Sequence, residues 1–159
     1  MSHSPNFRGR SLTKGQNRRQ KPIQLDEYEI PDELVLFNTN IRGINSQTKQ
    51  GDIYKIITES QPDIVCLNET KLQSELYLDD YWSYQTLFDK KGGCWTASHN
   101  KEGSRLSLVK SVGNYLCWTR LIVGAVHIQI LNCYLDSGDS LYKKNRALRV
   151  IEIIGDILR

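Results

Sequence analysis

The segment Asp63-Ile64-Val65-Cys66-Leu67 constrains the fold more than any other, because it has the length of one strand and no polar face. A strand with apolar residues at every position is covered on both sides, so it belongs at the centre of a layered structure and not on a half-exposed sheet. A second apolar run of similar length, Leu34-Val35-Leu36-Phe37, precedes it. Between them Ile53, Ile56 and Ile57 recur at helical spacing, with Asp52 as the expected cap and Pro62 as the stop. This is a strand, helix, strand unit, and it predicts two neighbouring parallel strands.

Beyond the aromatic and acidic stretch 77–88, the chain reads as successive β segments over 94–98, 105–109, 115–119, 121–125 and 126–135. Turn signals separate several of them at Asn100-Lys101-Glu102-Gly103 and Gly113-Asn114, and short connections of this kind favour antiparallel pairing. The end, 141–159, predicts a helix with Leu148, Ile151, Ile154 and Leu158 on one face and Lys143, Lys144, Arg146 and Arg149 outside it. With 159 residues, 39% of them hydrophobic and 25% charged, one folded domain is within reach without disulfides or a structural metal. Cys66, Cys94, Cys117 and Cys133 each lie in an apolar segment and are expected to be free, buried thiols. The sequence shows no membrane-length apolar run and no secretory leader, which places the expected product inside a cell, with the nucleus as one candidate compartment.

The net charge of +3 is unevenly distributed. Residues 1–25 hold Arg8, Arg10, Lys14, Arg18, Arg19 and Lys21 and no acid, whereas 26–159 sum to −3. Residues 1–33 are read as a disordered arm, basic and then acidic at Asp26, Glu27, Glu29, Asp32 and Glu33, followed by a folded unit over 34–159. The basic part suits a phosphate backbone without sequence preference, or a localisation patch.

Sites in layered α/β folds are built where strands end. Asn40 follows the first strand and Glu69 the second, so parallel neighbours would bring a carboxylate and an amide oxygen to one edge, within reach of one ion. That donor set is hard-oxygen chemistry suited to Mg²⁺, which keeps several waters and takes few protein ligands. The sequence contains no Walker, dinucleotide-binding, zincin or nucleophile-elbow motif.

The segments LFNTNIRGIN (36–45), PDIVCLNETKL (62–72), GGCWTAS (92–98) and ILNCYLDSG (130–138) resemble, in order and spacing, the amino-terminal half of the endonuclease/exonuclease/phosphatase superfamily. The pattern looks most like the abasic-site-like endonuclease domain of non-LTR retrotransposons. The resemblance implies an α/β (α+β) fold, a partial four-layer α/β/β/α sandwich of which only the first half is present. Over roughly residues 34–159 it implies Glu69 and Asn40 at a Mg²⁺ or Mn²⁺ site and Asn40 and Tyr134 as active-site residues. Arg42 and Lys71, together with Arg8, Arg10, Arg18, Arg19 and Lys21 of the arm, which lies outside the resemblance and is read from its charge, are the expected contacts to nucleic acid, DNA foremost. The implied activity is phosphodiester or phosphomonoester hydrolysis.

Several parts of the family pattern are missing. The G-D-x-N segment, a further Asp/Asn pair and the terminal Asp-His pair have no counterpart. Gly155-Asp156 sits on the helical periodicity, and His127 alternates within a strand. The Pro usual after the active-site Tyr is replaced by Leu135-Asp136-Ser137, Arg42 stands at a usually polar or acidic position, and Trp95 stands where an aliphatic is usual. The chain is therefore expected to be close to inactive alone, and to be a fragment of a longer reading frame or to need a partner over an open sheet. The alternatives are a non-catalytic remnant that binds nucleic acid or protein, and a phosphoester phosphatase of the same superfamily.

Overall fold

The computed structural model describes residues 32–86, 90–135 and 138–159. The arm's Arg8, Arg10, Arg18, Arg19 and Lys21 lie outside the described residues.

The chain runs β1 (Leu36–Asn40), α1 (Gln47–Ser60), β2 (Ile64–Asn68), β3 (Tyr81–Gln85), β4 (Cys94–His99), β5 (Ser104–Val112), β6 (Leu116–Val123), β7 (Val126–Cys133) and α2 (Leu141–Ile157). β1 and β2 are parallel neighbours, as the strand, helix, strand reading requires, and pair from Leu36 opposite Ile64 to Asn40 opposite Asn68. The first sheet has the order β1-β2-β4-β3 and the second β5-β6-β7, with every pairing except β1–β2 antiparallel.

Apolar β2 is central because both its faces are covered. Val65 and Leu67 are fully buried, with Ile41, Ile44, Ile57, Leu72, Leu76 and Trp95, in a cluster that α1 helps to close. On the opposite face Ile64 and Cys66 pack with Leu106, Leu121 and Ile130 of the second sheet. Each fully buried aliphatic side chain contributes about 1.5–3 kcal/mol over leaving it in water, so these two faces hold most of the fold together. Trp95, in an aliphatic's usual place, is accommodated because its Nε1–H donates to the Leu76 carbonyl at 3.1 Å.

Several boundaries differ from the sequence reading. β1 starts at Leu36 instead of Leu34 and runs on through the polar Asn38-Thr39-Asn40, because the ladder to β2 continues there. The cap of α1 is Ser46, whose hydroxyl accepts from the Lys49 N–H at 3.3 Å; Asp52 lies inside the helix. β3 arises within a stretch that carries no clear alternation and pairs only with β4. The two segments expected over 115–125 form one continuous strand, β6, through Arg120. In α2 the face that turns inward is not the one the spacing favoured: Val150 is fully buried, whereas Leu148, Ile151 and Leu158 are 57%, 55% and 77% exposed. The helix is apolar on more than one side, so periodicity alone does not choose the face. The four cysteines are free as expected; Cys66, Cys94 and Cys117 are buried and Cys133 half-buried. Burial pushes the Cys66 thiol up to about 12 and that of Cys117 to about 11, away from the thiolate range.

At the edge where β2 begins, the Asp63 carboxylate accepts from the Val35 N–H at 2.8 Å and pairs with the Lys101 ammonium, tying the chain before β1 to the turn after β4. Partial burial pushes this carboxyl up, but Lys101 and Val35 outweigh it and hold it below its ordinary value of 3.8. Its stabilisation is therefore present above that value and lost as pH falls through the lower, folded one. Asp63→Ala is expected to cost about 1–2 kcal/mol in urea unfolding at neutral pH, and the gap to wild type should close once pH drops below 3.8.

Candidate metal and phosphate site

The site grows out of three loops that leave their strands at the same edge. After β1 the backbone turns through Arg42 and Gly43, and after β2 through Glu69 and Lys71; all four have positive φ, of 52°, 94°, 54° and 51°. Three of the four are not glycine, and each such residue costs about 1 kcal/mol. A backbone ladder between the loops offsets that cost. The Ile41 N–H donates to the Asn68 carbonyl at 2.9 Å, Gly43 to Glu69 at 2.7 Å and Ile44 to Thr70 at 3.0 Å. The parallel pairing of the strands is thus carried past their ends.

This ladder brings Asn40 and Glu69 together, which is the juxtaposition anticipated from their positions after parallel strands. The Asn40 amide hydrogen-bonds the Glu69 carboxylate, while its Oδ1 accepts from the Arg42 N–H at 3.2 Å. Lys71 Nζ lies 2.9 Å from Glu69 Oε1, on a carboxylate side chain that is only 18% exposed. The hydrogen bond from Lys71, then that from Asn40, and the nearby charges of Lys71 and Arg42 hold the Glu69 carboxyl below its ordinary value against the opposing effect of burial. Glu69 is therefore ionised throughout the neutral range and already engaged by a cation.

The Gly92-Gly93 turn before β4 packs against the same loops. The Lys71 N–H donates to the Gly92 carbonyl at 2.7 Å and Thr70 to Gly93 at 3.2 Å. A Cβ at Gly93 would lie 2.5 Å from Thr70 Oγ1, and one at Gly92 would lie 2.9 Å from Cδ1 of Tyr134. The aromatic ring of Tyr134 thus reaches the site over Gly92, just beyond the end of β7. Asn40, Glu69, Arg42, Lys71 and Tyr134 form one neighbourhood, while His127 remains an exposed residue of β7 and Gly155-Asp156 lies in α2.

Four further residues shape this edge without having been singled out from the sequence. Asn68 donates to Asn132 Oδ1 and to the Cys133 carbonyl, both at 2.7 Å, linking the end of β2 to the end of β7. Asn132, 3% exposed, donates onward to the Trp95 carbonyl at 2.9 Å and to Thr96 Oγ1 at 3.1 Å. Asn114 accepts the Gly93 N–H at 2.7 Å on its carbonyl and donates its side-chain amide to the Lys91 carbonyl. Arg146 of α2 donates to Asn114 Oδ1 at 3.1 Å, with its guanidinium 5.5 Å and 5.3 Å from the ring centroids of Tyr115 and Tyr142. A polar residue on the face it shares with Val126, Ile128 and Ile130 is the one signal that could have marked Asn132.

One carboxylate with an amide beside it fits Mg²⁺ or Mn²⁺ only as a sparse ligand set, with water or phosphate oxygens filling the other positions. Among the described residues there is no cluster of three or more His, Cys, Asp or Glu side chains able to hold a metal ion. Glu69 would be the anchoring ligand, and Asn40 would orient it.

No protein-family model matches the chain. Over 83 residues it is 31% identical to an exodeoxyribonuclease of Bacillus subtilis, a match covering 50% of this chain and 32% of that protein. Its fold matches an AP endonuclease from Archaeoglobus fulgidus with a TM-score of 0.56 at 21% identity, covering 76% of this chain and 49% of the other. The endonuclease domain of TRAS1, a telomere-specific non-LTR retrotransposon, matches with a TM-score of 0.53 at 10% identity over 74% of this chain and 53% of the domain. The chain therefore spans about half the length of these solved structures and a third of the curated relative.

Gly93→Ala combines a forbidden φ with a clash against Thr70, and is expected to destabilise the protein by roughly 2–3 kcal/mol, measured as a lowered urea midpoint with an unchanged slope. The chain thus shares the fold of these nuclease structures over about half of their length.

Proposed function

We propose that this chain is the amino-terminal part of a divalent-metal-dependent phosphodiesterase acting on DNA, of the retroelement endonuclease type. The observation that carries the reading is the Asn40–Glu69–Lys71 cluster at the shared end of two parallel strands. When bound, Mg²⁺ or Mn²⁺ would neutralise charge on phosphate oxygens and on the leaving oxyanion. Glu69 would hold the ion, Asn40 would fix the carboxylate through its hydrogen bond, and Arg42 and Lys71 would attract the phosphate backbone. Tyr134, packed over Gly92, would border the phosphate. The basic residues of the arm would add affinity without sequence preference.

This half holds the electrophilic side of a phosphodiesterase site. The groups that position and activate water in the superfamily, an Asp, an Asn and a His in later motifs, have no counterpart in the sequence. Because activation of the nucleophile is worth about 10²–10⁴-fold in rate, the chain alone is expected to nick DNA barely above background. The same absence supports the second reading, a remnant that binds nucleic acid without cleaving it. Among the described residues no helix is long and apolar enough to cross a membrane.

Metal binding tests the reading directly, because Lys71 and a divalent ion compete for one carboxylate. Titration with Mn²⁺, followed by its paramagnetic resonance, should show one weak site that Glu69→Gln removes. Lys71→Ala should tighten that site by about 3–10-fold, the effect of removing one cation at near-contact distance in a partly exposed setting. Binding that survives Glu69→Gln unchanged would refute the assignment. Plasmid nicking in Mg²⁺ then separates the readings: activity lost in Glu69→Ala marks an enzyme, and DNA retention without nicking marks the remnant.

A further inference from the structure

Lys71 holds Glu69 through a contact of which only one part is free to move. Its backbone is pinned on both sides: the Lys71 N–H donates to the Gly92 carbonyl at 2.7 Å, and the Lys71 carbonyl accepts from the Asn45 side-chain amide at 2.6 Å. The start of the side chain is also placed. A Cβ on Gly43 would lie 3.9 Å from Lys71 Cβ and 3.5 Å from Lys71 Cδ, so the stem passes beside the Arg42-Gly43 turn. The ammonium at its end belongs to a side chain 35% exposed and lies 2.9 Å from Glu69 Oε1. An ammonium is a point charge on a rotatable stem, without the planar fork that fits a guanidinium to a carboxylate at two points. The pair is thus a fixed carboxylate and a tethered, replaceable cation.

Asn40 holds the same carboxylate differently. Its amide hydrogen-bonds Glu69 while its Oδ1 is committed to the Arg42 N–H, so it is uncharged and fixed in direction. A cation that enters beside Glu69 can keep Asn40 but not Lys71, because one carboxylate does not offset an ammonium and a dication side by side. Among the described residues, Glu69 is the one carboxylate paired with Lys71. The tether keeps a displaced ammonium at the same edge, between the Gly43 turn and Gly92, over which Tyr134 packs. What it lacks there is an anion, and the reading of the site supplies one in the phosphate backbone.

We infer that Lys71 is a counter-ion that changes partner: it neutralises Glu69 while no divalent cation is bound, and once displaced by one it binds a phosphate of the nucleic acid. The inference rests on the metal reading of Glu69 given above and adds a regulation of that site. Metal and nucleic acid bind cooperatively, because both favour the arrangement in which Lys71 has left Glu69. By linkage, the factor by which the ion tightens nucleic acid is the factor by which nucleic acid tightens the ion. In the metal-free chain the ion pair also keeps a bare carboxylate from repelling phosphate, so the site stays electrostatically quiet until the ion arrives.

Reductive methylation of the full chain, read at Lys71 by peptide mass spectrometry, follows the exchange without requiring activity. Labelling of Lys71 should rise about 2–5-fold in Mg²⁺, the range for losing a partly exposed ion pair, and should reach the same level in metal-free Glu69→Gln. A DNA duplex added with Mg²⁺ should protect Lys71 again, whereas the duplex without Mg²⁺ should leave its labelling unchanged. Lys55, paired with Glu59 on α1, is the internal control and should not respond to Mg²⁺. In fluorescence anisotropy, Mg²⁺ should tighten duplex binding on the order of 10-fold, and Lys71→Ala should weaken binding at least about 3-fold more in Mg²⁺ than without it. Mn²⁺ bound at a site that Glu69→Gln removes, with Lys71 labelling unchanged, would overturn the exchange and leave the metal site standing. The absence of any Mn²⁺ site would overturn both. Release of Lys71 by Mg²⁺ without protection by DNA, or an equal loss of DNA affinity in Lys71→Ala with and without Mg²⁺, would also overturn the exchange and make Lys71 an ordinary surface cation.

Discussion

The three backbone hydrogen bonds that continue the β1–β2 ladder past the strand ends are the constraint from which the site follows. The strands end at Asn40 and Asn68, but Ile41, Gly43 and Ile44 go on donating to Asn68, Glu69 and Thr70. For two loops to stay in register while leaving their strands, residues must enter the left-handed region, and Arg42, Glu69 and Lys71 do so. The consequence is chemical. The Glu69 carboxylate is presented next to Asn40 by backbone, not by a flexible side-chain reach, and Lys71 and the Arg42 amide are brought in by the same turns. The carboxylate's position is thus fixed by the fold, and what an incoming cation has to displace is the Lys71 ammonium.

The site is also fastened from behind. Asn68 and Asn132 bridge the two sheets at the edge where β2 and β7 end, and Asn132 spends its remaining donors on Trp95 and Thr96 of β4. A buried amide satisfied on this many sides fixes the stagger of one sheet over the other. The same bridge therefore steadies the functional edge, because β2 carries Asn68 immediately before Glu69.

How much was legible in the sequence divides along physical lines. The central strand, its parallel neighbour and the meeting of Asn40 with Glu69 follow from residues that act locally: an unbroken apolar run, a helical spacing, polar residues at strand ends. The cap of α1 was misplaced because Asp52 and Ser46 are both good cap chemistry, and only Ser46 meets a free N–H. β3 and the inward face of α2 were not legible for a different reason. Tyr81-Trp82-Ser83-Tyr84 has no strict alternation, and α2 offers two apolar stripes, so each is decided by what lies across from it.

Arg146 shows the same limit at the site. In the sequence it belongs with Lys143, Lys144 and Arg149 as one more cation outside the apolar face of a helix. In the fold it is held between Tyr115 and Tyr142 and braces Asn114, which in turn holds the Gly92-Gly93 turn against Thr70 and Lys71. A guanidinium can be drawn inward only where aromatic faces and an amide oxygen replace its water, and two of those partners, Asn114 and Tyr115, come from the β5–β6 connection, some 30 residues away in the chain. The rotation of α2 that buries Val150 and leaves Leu148 in solvent is the one compatible with this contact. The helix is thus oriented by a polar interaction at its start as much as by its apolar residues, and it passes that orientation to the glycine turn beside Glu69.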